Sequence, residues 1–307
     1  MNYKDESKLN KNVLKKNIIA SAHISFLFGA GVNGTALPQL RDFEQTKNKL
    51  AEWEVDTSKG IEEGIDNIED DIKRECIKNI FIDEFKSYHE NAVKKICSGK
   101  DKSIKNLEAL LRKTYLIVQE TQNRNPSMKQ INIYTLNYDN IVEKVLLNRG
   151  YLYNSISASN TSNKSSLMDV IGYNYNVKKY IPTFMVSKLH GDIDKPIIPG
   201  KSKYKDMLNE DYFEVAFNMK EQLCRPNSIL IVIGYSGKDN HINKMLEDCL
   251  NTGLTIYWYK YLATDIVPFE NRVNVFVREQ DDYTSIKDTT LVCYNDMENV
   301  WAEKLEK

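Results

Sequence analysis

Ile229-Leu230-Ile231-Val232-Ile233 is followed at once by Gly234-Tyr235-Ser236-Gly237. A run that is apolar at every position reads as a strand buried on both faces, as in the middle of a parallel sheet. Beyond the glycine-bounded turn, Ile242, Met245, Leu246 and Leu250 fall on one face of a helix. Three other stretches repeat this pattern of apolar run and polar or glycine tip. Ile24-Ser25-Phe26-Leu27-Phe28 ends in Gly29-Ala30-Gly31. Ile131-Asn132-Ile133-Tyr134 ends in Thr135-Leu136-Asn137-Tyr138-Asp139. Val186-Ser187-Lys188-Leu189 ends in His190-Gly191. Strands separated by helical segments predict an α/β fold, a doubly wound, mostly parallel (Rossmann-like) sheet. Ligands of such sheets bind at the carboxyl ends of the strands, so the four tips are expected to share one crevice.

Working outward, further strands are expected at 254–259, 273–277 and 290–294. Residues 9–20 read as an amphipathic helix with Leu9, Val13 and Leu14 on one side. From 44 to 127 the pattern is charged and helical, with Ile104, Leu107, Leu111 and Val118 at three-to-four spacing. This stretch predicts a helical insertion between the first two strands of a single domain over 1–307. Asp139 or Asn140 is placed to cap a helix carrying Ile141, Val142, Val145 and Leu146. Residues 155–166, rich in Ser and Asn, predict an exposed loop.

Composition bounds the function classes. Of 307 residues, 41% are hydrophobic, enough for a sizeable core. A net charge of −1 gives no global attraction to nucleic acid or to an anionic membrane, and neither is an expected partner. The five cysteines are scattered with no C-x-x-C pair, which fits reduced thiols in a cytoplasm better than a zinc ribbon or a disulfide frame. The polar start, Met1-Asn2-Tyr3-Lys4-Asp5-Glu6, does not resemble a signal peptide, and no apolar stretch is long enough for a membrane span.

The tips offer chemistry with alternatives. Gly29, Gly31 and Gly34 satisfy G-x-G-x-x-G after a strand, which lets a backbone approach a pyrophosphate; a tight turn without a ligand fits equally. The carboxylate expected about 20 residues further on is missing. Asn137 and Asp139, two apart, suit a ribose, a water or an amide, or else a turn and a helix cap. His190 at a strand tip is placed to act as a base near neutral pH. No G-x-S-x-G elbow is present, so a serine triad is not indicated. Gly234-Tyr235-Ser236-Gly237 is a second candidate cradle, or an ordinary strand-to-helix turn.

The order Gly-Ala-Gly, Pro38 and Arg41, Thr-x-Asn-x-Asp, His-Gly and Gly-x-Ser resembles the sirtuin family across roughly residues 20 to 260. The resemblance implies that NAD lies across the sheet. Gly29, Ala30 and Gly31, with Asn33 and Thr135 nearby, would hold the cofactor. Arg41 would lie in a mobile loop. Asn137 would meet the nicotinamide ribose and order water, and Asp139 would bind the carboxamide. His190 would act as base on a ribose hydroxyl, and Gly234 and Ser236 would contact the adenosine side. Sirtuin deacetylases hold zinc with two cysteine pairs between the His-Gly and Gly-x-Ser motifs; here that interval has Cys224 alone. Val32-Asn33-Gly34 stands where the deacetylases usually carry a serine, and Leu136 and Tyr138 replace the usual Gln and Ile.

Gly234 to Asp239 is similar to zinc-less sirtuin-like proteins of bacterial anti-phage systems, which cleave NAD to nicotinamide and ADP-ribose. The expectation is therefore an NAD glycohydrolase with NAD as substrate and no metal, acting in abortive infection. The rivals are a protein deacylase or ADP-ribosyltransferase, and a non-catalytic module that senses NAD or ADP-ribose. Self-assembly, or a partner such as a HerA-type ATPase or an Argonaute, is expected to supply regulation.

Overall fold

The computed structural model describes residues 14, 16–58, 60–99, 101–121, 124, 128–158, 183–196, 210–260, 266–278 and 288–302. Seven strands form one all-parallel sheet: β1 (His23–Phe28), β2 (Ile131–Thr135), β3 (Tyr153–Ser157), β4 (Phe184–Lys188), β7 (Ser228–Ile233), β8 (Thr255–Tyr259) and β9 (Val275–Arg278). Strands β5 (Gly191–Asp192) and β6 (Lys195–Pro196) make a small antiparallel pair beside it. The order across the sheet is β3-β4-β2-β1-β7-β8-β9. This is the doubly wound α/β arrangement. The strand order reverses between β1 and β7, which is where open sheets of this kind leave a crevice.

Every residue of β2, β4 and β7 is buried, Asn132, Thr135, Ser187 and Lys188 among them, and the unbroken apolar run Ile229–Ile233 of β7 requires it. Alternate side chains feed two cores. Ile24, Phe26 and Phe28 of β1, with Ile229, Ile231 and Ile233 of β7, face the first. Leu27, Leu230 and Val232 face the second. The first core is covered by helices lying between β1 and β2: α2 (Glu44–Glu52), α3 (Ile61–Asp66), α4 (Asp71–Ser98) and α5 (Lys102–Glu120). On α5, Ile104, Leu107, Leu111 and Val118 are all buried, as their spacing requires. Asp70 and Asp101 cap α4 and α5, each accepting two main-chain N–H groups. Helix α6 (Ile141–Asn148) follows β2 on the same face. The second core is covered by α7 (Glu210–Leu223) and α8 (Asn240–Asn251).

Two expectations are corrected, and a third is met over the residues described. Residues 290–294 are not a strand but part of helix α9 (Thr289–Ala302). The β-branched pair Thr289-Thr290 suggests extended chain, yet Asp288 caps both the Thr290 and Leu291 amides, and Cys293, Met297 and Val300 are buried at helical spacing. Residues 155–157, expected in a loop, belong to edge strand β3, whose ladder to β4 outweighs their polarity; 159–166 lie outside the described residues. Of the helix expected at 9–20, the structure describes α1 (Lys16–Ser21) and the buried Leu14, while Leu9 and Val13 lie outside the described residues. Among the described residues, no helix is long and apolar enough to cross a membrane.

Candidate active site

The four strands whose tips stood out in the sequence are consecutive neighbours, β4-β2-β1-β7, and all run the same way. Their carboxyl ends therefore share one edge of the sheet. Asn33, Thr135, Asn137, Asp139 and His190 are all buried there.

At the centre of the edge, the turns after β1 and β7 touch backbone to backbone. The Gly29 amide donates to the Ile233 carbonyl at 3.0 Å, and the Gly31 amide to the Gly234 carbonyl at 3.2 Å. A Cβ on Gly29 would stand 2.3 Å from the Gly234 oxygen, and one on Gly234 2.4 Å from the Val32 nitrogen. Gly234 also has φ +70°, a left-handed conformation that favours glycine. The contact itself thus demands these glycines. Two amides that a pyrophosphate would seek are already bonded within the protein. Ala30 to Asn33 form a short 3-10 turn. Ser236 is exposed, and Arg41 is exposed on a separate 3-10 turn, Leu40–Asp42.

The tip of β2 is tied by side chains instead. Asn33 Nδ2 donates to Asp139 Oδ2 at 2.7 Å, and the Ile141 amide donates to Asp139 Oδ1 at 2.9 Å. Asp139, one residue before the N-cap Asn140, therefore holds the first amide of α6. Asn137 Nδ2 donates to the Gly29 carbonyl at 3.2 Å, and the Asn137 amide to Thr135 Oγ1 at 3.0 Å. Asn33 Oδ1 is buried and has no hydrogen-bond partner among the described residues. The Nδ2 of the same side-chain amide is the atom bonded at 2.7 Å to Asp139, the carboxylate expected to bind a carboxamide.

Sequence reasoning passed over Lys188. Its side chain is 1% exposed, and its ammonium reaches the Tyr138 carbonyl at 3.1 Å, Asp192 Oδ1 at 3.2 Å and Glu143 Oε1 at 3.7 Å. One cation on β4 thus holds the loop between Asn137 and Asp139 against the segment that carries His190. Burial pushes the Glu143 carboxyl above its ordinary range, and the Lys188 charge pulls it back. The signal available in sequence was a lysine inside an apolar strand, two residues before the histidine.

His190 is bonded to a residue given no role in the sequence reading. Its Nε2 lies 2.8 Å from Asp239 Oδ2, and the other oxygen, Oδ1, lies 2.6 Å from His241 Nδ1. The two imidazole centroids are 5.8 Å apart, and the Tyr212 ring of α7 sits 6.1 Å from that of His241. The ligand atoms of His190, Asp239 and His241 lie within 4.8 Å of one another, close enough for one divalent ion. Two hydrogen bonds to a single carboxylate produce the same spacing. Among the described residues no other cluster of three such groups occurs. Cys224, isolated in sequence, has a partner in space: its Sγ is 3.1 Å from that of Cys249, and burial pushes the Cys249 thiol up. Both cysteines are free.

A SIR2-like domain model matches residues 131–265. This supports a sirtuin-like family. The match spans β2 to β8 and includes Asn137, Asp139, His190, Gly234 and Ser236, while β1 and its glycine turn precede it. It points to NAD-related chemistry of the sirtuin type and is compatible with an NAD-dependent enzyme. No curated protein matches the chain.

Proposed function

We propose that this chain is an NAD glycohydrolase that splits NAD into nicotinamide and ADP-ribose, as a cell-suicide effector of anti-phage defence. The observation that carries the reading is the pairing of buried Asn137 and His190 on adjacent strand tips beside the switch point. A pure binding module has no need of a base there.

In this reading the bond between the nicotinamide nitrogen and C1′ of the ribose breaks heterolytically. The electron pair leaves with nicotinamide, and an oxocarbenium-like centre forms at C1′. Water adds to C1′ and gives up one proton, so NAD and water become nicotinamide, ADP-ribose and H⁺. His190 accepts a proton from the ribose hydroxyl and later releases it as the H⁺ of the balance, the proton given up by water restores that hydroxyl, Asn137 orders the water against the ribose, and Asp139 with Asn33 faces the carboxamide. Gly29, Ala30, Gly31, Gly234 and Ser236 let the dinucleotide approach the sheet edge. None of these steps calls for a metal.

The test is to incubate purified protein with NAD and quantify products. Nicotinamide and ADP-ribose in equal amounts are expected. O-acyl-ADP-ribose, modified protein or intact NAD would overturn the reading. Unregulated hydrolysis would deplete a cofactor the host needs, so we further propose that assembly raises activity. The assembly would be with copies of this chain or with a partner such as a HerA-type ATPase or an Argonaute. Ordering the site raises the competent fraction, and apparent affinity scales with it. Specific activity should therefore rise with protein concentration. High, flat activity from a proven monomer would contradict this.

A further inference from the structure

Among the described residues, Asp70, Asp101, Asp288 and Asp239 each stand directly before a helix, and of these four Asp239 does not cap. Asp70 and Asp101 each accept the amides two and three residues on, the ordinary use of aspartate at that position. Asp239 occupies the same place before α8, yet its side chain makes no cap bond. Both its oxygens turn to imidazoles instead, Oδ2 to His190 Nε2 at 2.8 Å and Oδ1 to His241 Nδ1 at 2.6 Å. The main chain that delivers it is held firmly. The buried Tyr235 hydroxyl accepts from the Asp239 amide at 3.1 Å and donates to Asn243 Oδ1 at 2.9 Å, and Asn243 Nδ2 donates to the Gly237 carbonyl at 2.7 Å. The Tyr235 ring packs on Trp258 at 5.4 Å.

A carboxylate only accepts hydrogen bonds. Each nitrogen it touches must therefore carry the proton, and in a neutral imidazole the other nitrogen then holds the lone pair. We infer that Asp239 is a positioning residue that fixes His190 as its Nε2–H tautomer and so makes Nδ1 the nitrogen that accepts the substrate proton, with His241 steadying the second carboxylate oxygen. The inference rests on the base role proposed for His190 and extends it to a named atom. When Nδ1 takes the proton, the imidazolium forms beside a carboxylate already in place, which lowers the cost of that charge.

The protein has four histidines, so imidazole nitrogen-15 spectra assigned with His190→Gln are tractable. On the alkaline side of the titration, His190 should show protonated Nε2 and unprotonated Nδ1. Asp239→Asn offers these two imidazoles one acceptor and one donor in place of two acceptors, so it should switch the tautomer of His190 or of His241. With NAD, Asp239→Asn should lower kcat roughly 10²- to 10⁴-fold with KM little changed, and Asp239→Glu should recover part of the loss. The inference is overturned by unprotonated Nε2 in the wild type, by unchanged tautomers in Asp239→Asn, or by an ion bound to these nitrogens in elemental analysis. If the wild type leaves NAD intact, the proposed function fails while the spectra still decide this assignment. If the wild type cleaves NAD and folded Asp239→Asn cleaves it equally well, only this assignment fails.

Discussion

The β1–β7 tips and the β2–β4 tips lie on one edge of one sheet, yet they are built in opposite ways. Between β1 and β7, main chain lies on main chain, and three glycines are there because any side chain would collide. Around the β2 tip, polar side chains do the joining: Asn33 and Gly29 of the turn after β1 to Asp139 and Asn137, and Lys188 of β4 to Tyr138. The first region needs its residue types in order to fold. The second buries an amide, carboxylates, an ammonium and an imidazole where apolar residues would be cheaper. Unexplained burial of polar groups is the better sign of function, and it lies on the β2–β4 side and in the Asp239 bridge.

The contrast can be broken by mutation. Lys188→Met should cost the most stability, about 3–5 kcal/mol, because it strands Glu143 in the interior. Adding Glu143→Gln should return a large part of that loss. Urea unfolding of the single and double variants measures both, and a single-variant loss below about 1 kcal/mol would mean the cluster behaves like a surface pair.

Gly234→Ala should cost somewhat less, roughly 2–4 kcal/mol, from the overlap with Val32 and the left-handed φ. Because the glycine turn is a packing device, its stability loss should persist whether or not NAD is present. A fully stable Gly234→Ala protein that has lost only NAD binding would reverse the assignment of structural and functional halves.

The fold was legible because burial on two faces writes itself as unbroken apolar runs, as at Ile229–Ile233 and Phe26–Phe28. Strand tips followed directly, since the topology brings all parallel carboxyl ends to one edge. The polar linkages were less legible. Asp139 reads alike as cap or ligand, and the structure shows it bonded both to a helix amide and to Asn33. Asp239 and His241 lie some fifty residues beyond His190, so their bridge exists only once β4 and β7 are set on the same edge. The strand expected at 290–294 is a helix because the Asp288 cap and the buried Cys293, Met297 and Val300 outweigh local strand preference.

The smallest effect is expected at the other end of β1, away from the crevice. Burial, then Arg225 and Arg124, hold the His23 imidazole below its ordinary value of 6.5. As pH falls through 6.5 the unfolded chain takes up this proton first, so stability declines until the folded-state value is passed. His23→Gln should flatten that decline without affecting NAD cleavage at neutral pH. An unchanged acid slope would remove His23 from the account.

The central claim is that the β2–β4 side of the edge performs NAD cleavage through His190. The most direct measurement is nicotinamide release from NAD by the wild-type protein and by His190→Ala, with folding of both verified by circular dichroism and thermal unfolding. The account predicts release by the wild type and a fall of roughly 10²- to 10⁴-fold in a folded variant. Near-full activity in folded His190→Ala would contradict it.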